Sequence, residues 1–300
     1  MMQYSTKNEQ QKPCVATIGS FDGVHLGHQF IISQLKEQAR NRGLASMVVT
    51  FANHPLKVLR PDARVELLTL SDEKECRLKA LEVDRVVMLP FTKDLSMLSA
   101  YDFMNQVLSR QLGVKVLLIG YDNHFGHDRK SFDDYVEYGR QLGIEVIKAE
   151  PLTTPTGTPS SSVVRQALKE GRILQANEGL GYTYCIKGKV VNGFHIGTKL
   201  GFPTANIEVD ADKLIPKNGV YCVRAIGHIG MMNIGHRPTL DNGPQKSLEV
   251  HLLDFDGNLY DTDMQIEFLE YVRDEQKFDS VEELKRQLMH DEEFCRRFCR

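Results

Sequence analysis

Cys14-Val15-Ala16-Thr17-Ile18-Gly19-Ser20-Phe21-Asp22-Gly23-Val24-His25-Leu26-Gly27-His28 decides the fold of the first half of this chain. Residues 14–19 are a short apolar run ending in glycine, the pattern of a buried strand. Glycines at 19, 23 and 27 let a backbone turn tightly and approach a ligand closely. Residues 28–41 then place apolar side chains at helical spacing, and Gly43 supplies a stop. The stretch therefore reads as strand, turn, helix. The same alternation continues downstream. Residues 45–51, 85–89, 115–120 and 144–148 read as strands; residues 71–81, 100–112 and 132–142 read as helices. Strands separated by helices predict βαβ units and a mostly parallel, Rossmann-like α/β sheet, with ligands at the carboxyl ends of its strands.

The pattern changes after about Gly171. Residues 184–191, 220–226, 230–235, 247–254 and 265–272 suit strands, separated by Gly, Asn and Asp turn signals such as Phe255-Asp256-Gly257-Asn258. Ser280-Val281-Glu282-Glu283 has the form of a capping box and opens a helix over 280–289. The second half is thus expected to be an antiparallel β-barrel with a C-terminal helix. The boundary is expected between Gly171 and Tyr182, with one domain over 14–175 and another over 182–300.

Composition narrows the functional classes. The chain has 300 residues, is 41% hydrophobic and 26% charged, and carries a formal net charge of −3. That suits two globular domains and excludes a general basic surface for nucleic acid. No run of about 18 apolar residues is present, so no membrane span is expected. The polar start MMQYSTKNEQQKP is not expected to be a signal peptide, and the 6 cysteines form no CxxC pair, so a cytoplasmic protein with reduced thiols is expected. Cys295 and Cys299 stand one helical turn apart and read as ordinary half-buried thiols.

Two clusters carry chemistry. His25 and His28 are three apart at a helix start, so they share a face. A helix N-terminus attracts anions, and two imidazoles there can stabilise charge on a triphosphate attacked at its α-phosphate. Taken singly, either histidine is as well explained by capping or packing. The second cluster is Gly193-Phe194-His195-Ile196-Gly197-Thr198-Lys199-Leu200-Gly201-Phe202-Pro203-Thr204-Ala205-Asn206. It is no Walker loop, yet its glycines and Lys199 can embrace a phosphate, and Thr204 and Asn206 offer hard oxygens suited to Mg²⁺. By itself it is also an ordinary glycine-rich hairpin loop. Glu249, in Leu248-Glu249-Val250-His251-Leu252, fits a solvent-facing strand position by alternation.

The ten-residue string from Gly19 to His28 resembles the signature of the HxGH nucleotidyltransferases, and of bacterial FAD synthetases in particular. Thr50-Phe51-Ala52-Asn53-His54-Pro55, Ile119-Gly120-Tyr121-Asp122-Asn123-His124-Phe125-Gly126 and Ser160-Ser161-Ser162-Val163-Val164-Arg165 resemble further motifs of that family, in order. Gly201-Phe202-Pro203-Thr204-Ala205-Asn206 resembles the riboflavin kinase signature. The strings from Pro216, Asn233, Leu248 and Tyr271 follow in that family's order. Together they resemble bacterial bifunctional riboflavin kinase/FAD synthetase. The resemblance implies ATP-dependent phosphorylation of riboflavin to FMN, then adenylylation of FMN to FAD. It implies Glu249 as catalytic base of the first step, with Mg²⁺ on Thr204 and Asn206. For the second it implies His25, His28 and Arg165 as catalytic groups. Gly19, Phe21, Asp22, Gly23, Gly27, His54, Asp122, Ser160, Ser161, Ser162, Gly197, Lys199, Gly201, Pro203 and Arg273 are implied to bind substrate or nucleotide. The implied partners are riboflavin, FMN, FAD and ATP, with no nucleic acid and no membrane. The chain departs from the family pattern at Asn53 (usually proline), at Asn123-His124 (usually Phe-Arg), at Pro159 (commonly apolar and branched) and at Thr198 (often arginine). Two other readings stand beside this one: a nucleotidyltransferase for another phosphorylated substrate, and a flavin-binding regulator without turnover.

Overall fold

The computed structural model describes residues 12–60, 62–120, 123–155, 157–191, 201–236 and 246–299. The chain packs as two compact units, Met1–Pro159 and Ser160–Arg300.

In the first unit, β1 (Cys14–Ile18), β2 (Ala45–Phe51), β3 (Arg85–Leu89), β4 (Val114–Ile119) and β5 (Glu145–Lys148) form one parallel sheet in the order β3-β2-β1-β4-β5. Every residue of β1 is buried, as a central parallel strand requires. Its side chains split between two cores. Cys14, Ala16 and Ile18 face a cluster with Phe103, Met104, Val107, Leu108 and Tyr135. Val15 faces another, with Ile32, Leu35 and Ala39 of α1 (Leu26–Arg42) and Leu78 of α3 (Ser71–Ala80). Helices thus cover both faces, and the strand order reverses direction between β1 and β4. In such sheets ligands sit outside the carboxyl ends of the strands at that reversal. Gly43 ends α1 at φ +63°, as its place after the apolar pattern predicts. Two one-turn helices, α2 (Pro55–Leu59) and α4 (Lys93–Ser96), are too short to leave a periodic signal. The helix expected over 100–112 begins as α5 (Ala100–Asp102) and continues as a π-helix over Phe103–Gln111. Two turns of apolar pattern do not separate a period of 3.6 from a wider one. A further helix, α6 (Phe132–Leu142), matches its expected range and is closed by Gly143 at φ +68°.

The second unit opens with a helical pair, α7 (Ser161–Lys169) and α8 (Ile173–Leu180), so the stretch where the residue pattern changes is helical. Both helices are bonded to the barrel that follows. Asn177 of α8 donates to the Phe268 carbonyl at 3.0 Å and accepts from the Tyr184 amide at 2.7 Å, and the Lys217 amide donates to the Leu168 carbonyl of α7 at 3.0 Å. The barrel is closed and antiparallel. Its strands are β6 (Cys185–Val191), β7 (Ala205–Val209), β8 (Gly219–Ala225), β9 (His228–His236), β10 (Lys246–Leu252) and β11 (Asp263–Arg273), in the order β10-β7-β6-β11-β8-β9. Strand β7 escapes the sequence pattern because it is short and follows directly on a glycine- and proline-rich turn.

Register assigns the barrel faces. Leu248↔Ile234, Val250↔Met232, Met232↔Tyr221, Val223↔Phe268 and Ile266↔Ile186 are opposed pairs on one face, all buried. The other face carries Cys222 and Met231, which pack with Leu253 and Phe202 against Cys295 of α9 (Val281–Phe298). Alternation therefore puts Glu249 on the face that α9 covers elsewhere. Helix α9 runs beyond the expected end at 289 because the polar run His290-Asp291-Glu292-Glu293 is not all solvent-facing. Asp291 is 2% exposed and takes the Arg273 guanidinium at 2.8–3.0 Å, with Gln287 donating to it at 2.9 Å. Ser280 caps this helix by accepting from the Glu283 amide at 3.2 Å, whereas the Glu283 carboxylate reaches the Asp279 amide, one residue outside the expected box. Cys222 and Cys299 bring their sulfurs to 3.6 Å.

Candidate functional site

The turn between β1 and α1 is strained. Phe21 sits at φ +50° and Val24 at φ +39°, beside Gly23 at φ +80°. Each such non-glycine residue costs of order 1–3 kcal/mol and persists only where surrounding contacts over-determine it. Those contacts are present. The buried Asp22 carboxylate accepts from the Leu68 amide at 3.2 Å, the Thr69 amide at 3.0 Å and the Thr69 hydroxyl at 3.3 Å. The Gly23 amide donates to Thr69 Oγ1 at 2.9 Å. The Ser20 carbonyl accepts from both Thr50 Oγ1 and Lys74 Nζ, each at 3.1 Å.

The turn delivers the histidines to the start of α1. His25 is its N-cap, without a side-chain capping bond, and no acidic residue stands in the first turn. The helix start is thus left suited to an anion. The His25 and His28 rings stack with centroids 3.7 Å apart and planes at 25°. Phe21 lies 5.0 Å from His28 on a tilted plane. Two of the motif glycines make room for these rings. A Cβ on Gly27 would stand 3.1 Å from the His25 ring and 2.9 Å from the Pro159 carbonyl oxygen, and one on Gly19 would stand 3.1 Å from Phe21. Burial, and then the neighbouring His25 and Lys74, hold His28 well below the usual histidine value of 6.5, so it is a neutral imidazole. His28 Nδ1 is buried without a hydrogen-bond partner among the described residues.

Other expected residues of this half serve the loops around the sheet's carboxyl end. His54 is the N-cap of α2 and accepts from the Leu56 amide at 3.2 Å. Asn53 makes two bonds to Phe91, donating to its carbonyl at 2.9 Å and accepting from its amide at 2.8 Å. Asn123 donates to the Ile18 carbonyl at the end of β1, and His124 Nδ1 lies 3.1 Å from the Lys130 carbonyl. Asp122 lies outside the described residues. Ser160 caps α7 through the Val163 amide at 3.3 Å, Ser161 and Ser162 form the first turn of that helix, and Arg165 is half-buried on it. These four belong to the second unit, the histidines to the first.

In the barrel, register brings together a second set of candidate residues. Glu249 on β10 is opposite Asn206 on β7 and opposite Asn233 on β9. Directly opposed residues share a face with Cβ atoms about 4.5–5.5 Å apart, so a carboxylate stands between two amides. Asn206 is 5% exposed and Glu249 is half-buried. The turn that carries Thr204 is tied to β10. His251 Nδ1 lies 2.7 Å from the Pro203 carbonyl, and its ring meets Phe202 edge-on at 5.3 Å. Gly201 sits at φ +87° with open space around it, so backbone conformation alone favours glycine there. The Glu275 carboxyl occupies the space a Cβ on Gly235 would need, next to the Asn233 amide. Arg273 spends its guanidinium on Asp291 and on the Asp274 carbonyl at 3.0 Å. Gly197, Thr198 and Lys199 lie outside the described residues.

Sequence reading missed Lys74, Thr69 and Asn233. Lys74 is 9% exposed on α3 and donates to the carbonyls of Ser20 and of Phe51, the latter at 2.7 Å. Burial pushes its ammonium down from 10.5 to about 8, against the pull of Asp22. Nothing in the run Ser71-Asp72-Glu73-Lys74-Glu75 distinguishes it from a solvated helix lysine. Asn233 does leave a trace, as a lone amide in an apolar strand. Among the described residues, no group of three or more His, Cys, Asp or Glu could hold a metal, and no helix is long and apolar enough to cross a membrane.

Residues 7–163 match the FAD synthetase family, and residues 180–299 match the riboflavin kinase family. The bifunctional riboflavin kinase/FMN adenylyltransferase of Escherichia coli K12 is 36% identical over 96% of this chain and 93% of its own length. That of Listeria monocytogenes is 39% identical, covering 95% and 92%. A solved structure described as a macrolide-efflux protein from Streptococcus pneumoniae superposes with a TM-score of 0.89 at 31% identity, covering 97% of this chain and 96% of that one.

Proposed function

Because this chain belongs to the bifunctional riboflavin kinase/FMN adenylyltransferase family, we propose a residue-level account of the two reactions it carries out. The enzyme phosphorylates riboflavin to FMN with ATP, and adenylylates FMN with a second ATP to give FAD and pyrophosphate. The observation that carries this conclusion is that both families match in one chain, which aligns with over nine-tenths of the length of bifunctional relatives.

For the kinase step, Glu249 takes the proton from the riboflavin 5′-hydroxyl as that oxygen attacks the γ-phosphate. Support comes from its place between Asn206 and Asn233, half-buried on a strand face. A general base must lie within hydrogen-bond reach of its proton, and two flanking amides limit where the carboxylate points. Thr204 and Asn206 offer a hydroxyl and an amide oxygen beside a single carboxylate. That donor set fits Mg²⁺, which keeps water and phosphate ligands rather than filling an all-protein cage. Bound there with ATP, the metal would offset charge on the phosphates. His251 orients the Pro203–Thr204 turn, and Arg273 secures the start of the 274–278 loop to α9.

For the adenylyl step, the FMN phosphate is already ionised and needs no base, so catalysis rests on positioning and charge. His25 and His28, at the uncapped start of α1, donate to the phosphate oxygens of ATP. Their rings stack with centroids 3.7 Å apart, and His28 is neutral. Ser160, Ser161, Ser162 and Arg165, at the start of α7, offer hydroxyls and a guanidinium suited to phosphate oxygens. Gly19, Gly23 and Gly27 act by admitting the turn and its rings, and Asp22 acts by bracing it against Leu68 and Thr69.

The test is direct. Purified protein is incubated with riboflavin, ATP and Mg²⁺, and the flavins are separated by chromatography. FMN appears first and FAD after it. Binding of riboflavin with no product, or FMN that is never converted to FAD, would overturn the reading.

A further inference from the structure

We propose that Lys74 is a positioning residue for adenylyl transfer. By donating to the carbonyls of Ser20 and Phe51, it joins the strained histidine turn to the end of β2 and sets the angle at which α1 presents His25 and His28. The inference rests on the adenylyltransferase reading of the first unit and adds to it a residue that touches neither histidine through a hydrogen bond.

Three observations carry it. The first is placement. Ser20 lies just past β1 and Phe51 ends β2, so Lys74 bridges the carboxyl ends of two adjacent parallel strands, where such sheets bind ligands. The second is strain. Phe21 and Val24 hold positive φ on the far side of Ser20, and a backbone in such a state relaxes unless its neighbours are fixed. Lys74 and Thr50 both fix the Ser20 carbonyl, while Asp22 and Gly23 are fixed from Leu68 and Thr69. The 68–74 segment, running into α3, thus braces the turn at every residue from Ser20 to Gly23 except Phe21, whose ring packs on His28. The third is cost. A lysine 9% exposed, with two neutral carbonyls as its hydrogen-bond acceptors, is an expensive way to hold a loop. Its positive charge is useful where an anion arrives at the adjoining helix start. Lys74 also lowers the value of His28, after burial and His25.

The step that Lys74 supports is attack by the FMN phosphate oxygen on the α-phosphorus of ATP, with the bond to the pyrophosphate oxygen breaking. Lys74 gains and loses no bond in it. A displaced reacting geometry of about 1 Å can cost about 10²-fold in rate. The experiment compares K74M, which keeps the volume and loses the donor and charge, with K74R, which keeps both. FMN adenylylation and riboflavin phosphorylation are measured on each full-length protein. For K74M the expected result is a fall in adenylylation kcat of about 10²-fold, with KM for FMN and ATP within about threefold of the parent and the kinase rate unchanged. K74R should recover at least about tenfold of the loss, which a filler of space would not do. T50V, which removes the other donor to the Ser20 carbonyl, should give a smaller fall of the same kind, and it serves if K74M does not fold. Parent-like kcat in K74M, or in T50V where K74M is insoluble, overturns the proposal, as does a loss confined to KM. An unsubstituted protein that fails to adenylylate FMN would instead overturn the reading of the unit itself.

Discussion

The histidine turn and the barrel row reach the same end, a fixed set of polar groups, by opposite routes. The turn is local: ten consecutive residues hold both histidines, and the structure strains their backbone to bring the rings together at 3.7 Å. The row is assembled from three strands that the chain visits far apart, at Asn206, Asn233 and Glu249, and no backbone strain is needed because the antiparallel register aligns them. A strained turn depends on braces, so its function is exposed to changes at residues such as Thr69 and Lys74. A row in a closed barrel depends on register, which every ladder bond of the barrel defends.

The sharpest way to break the comparison is Glu249→Gln. Removing a general base commonly costs about 10²–10⁴ in rate. Riboflavin phosphorylation should fall by that factor while supplied FMN is still converted to FAD. A near-parent kinase rate in this variant would leave Glu249 an ordinary strand residue. Next in size is His28→Ala. Loss of one preorganised donor costs about 10²–10³, so FAD formation should drop by that much with FMN formation retained. Equal loss of both products in a folded variant would mean that the two sites are not separate in function. The smallest effect is in pH. His28 is already neutral well above its lowered value, so adenylylation should show no step near 6.5 from this residue. Lys74 is charged below about 8 and neutral above it. Adenylylation kcat/KM should therefore decline a few-fold on the alkaline side of pH 8, while K74R, charged throughout, should lack that limb. A parent profile flat to pH 9.5 would show that the charge of Lys74 does not matter to the reaction.

Much of the site was legible where its residues are contiguous. The string from Gly19 to His28 announces a strand, a tight turn and a helix, and the glycines at 19 and 27 prove to make room for Phe21 and His25. Gly-Phe-Pro-Thr-Ala-Asn likewise holds a tight turn and the start of β7, which carries Asn206. The periodic elements of both halves were legible too, since burial on one face imposes a period of 2 or 3.6 on any chain. What could not be read is what a polar residue does once its neighbours arrive. Asp291 sits in a charged run that ends the apparent helix, yet it is buried under Arg273. Asn53, where proline is usual, turns out to pin the loop after β2 to Phe91 by two hydrogen bonds.

By itself, then, the sequence determined the two architectures, their order along the chain and the short motifs that mark the two families, because each is written in adjacent residues or in a repeating apolar pattern. Only the tertiary structure decided that Glu249 faces Asn206 and Asn233, that Arg273 is held by Asp291, and that a buried Lys74 supports the histidine turn. Those contacts join residues 16 to 54 positions apart, and a one-residue change of register would turn Glu249 to the opposite face. Composition and periodicity constrain which faces are apolar, but the partner of a buried charge is chosen by the packing of whole elements.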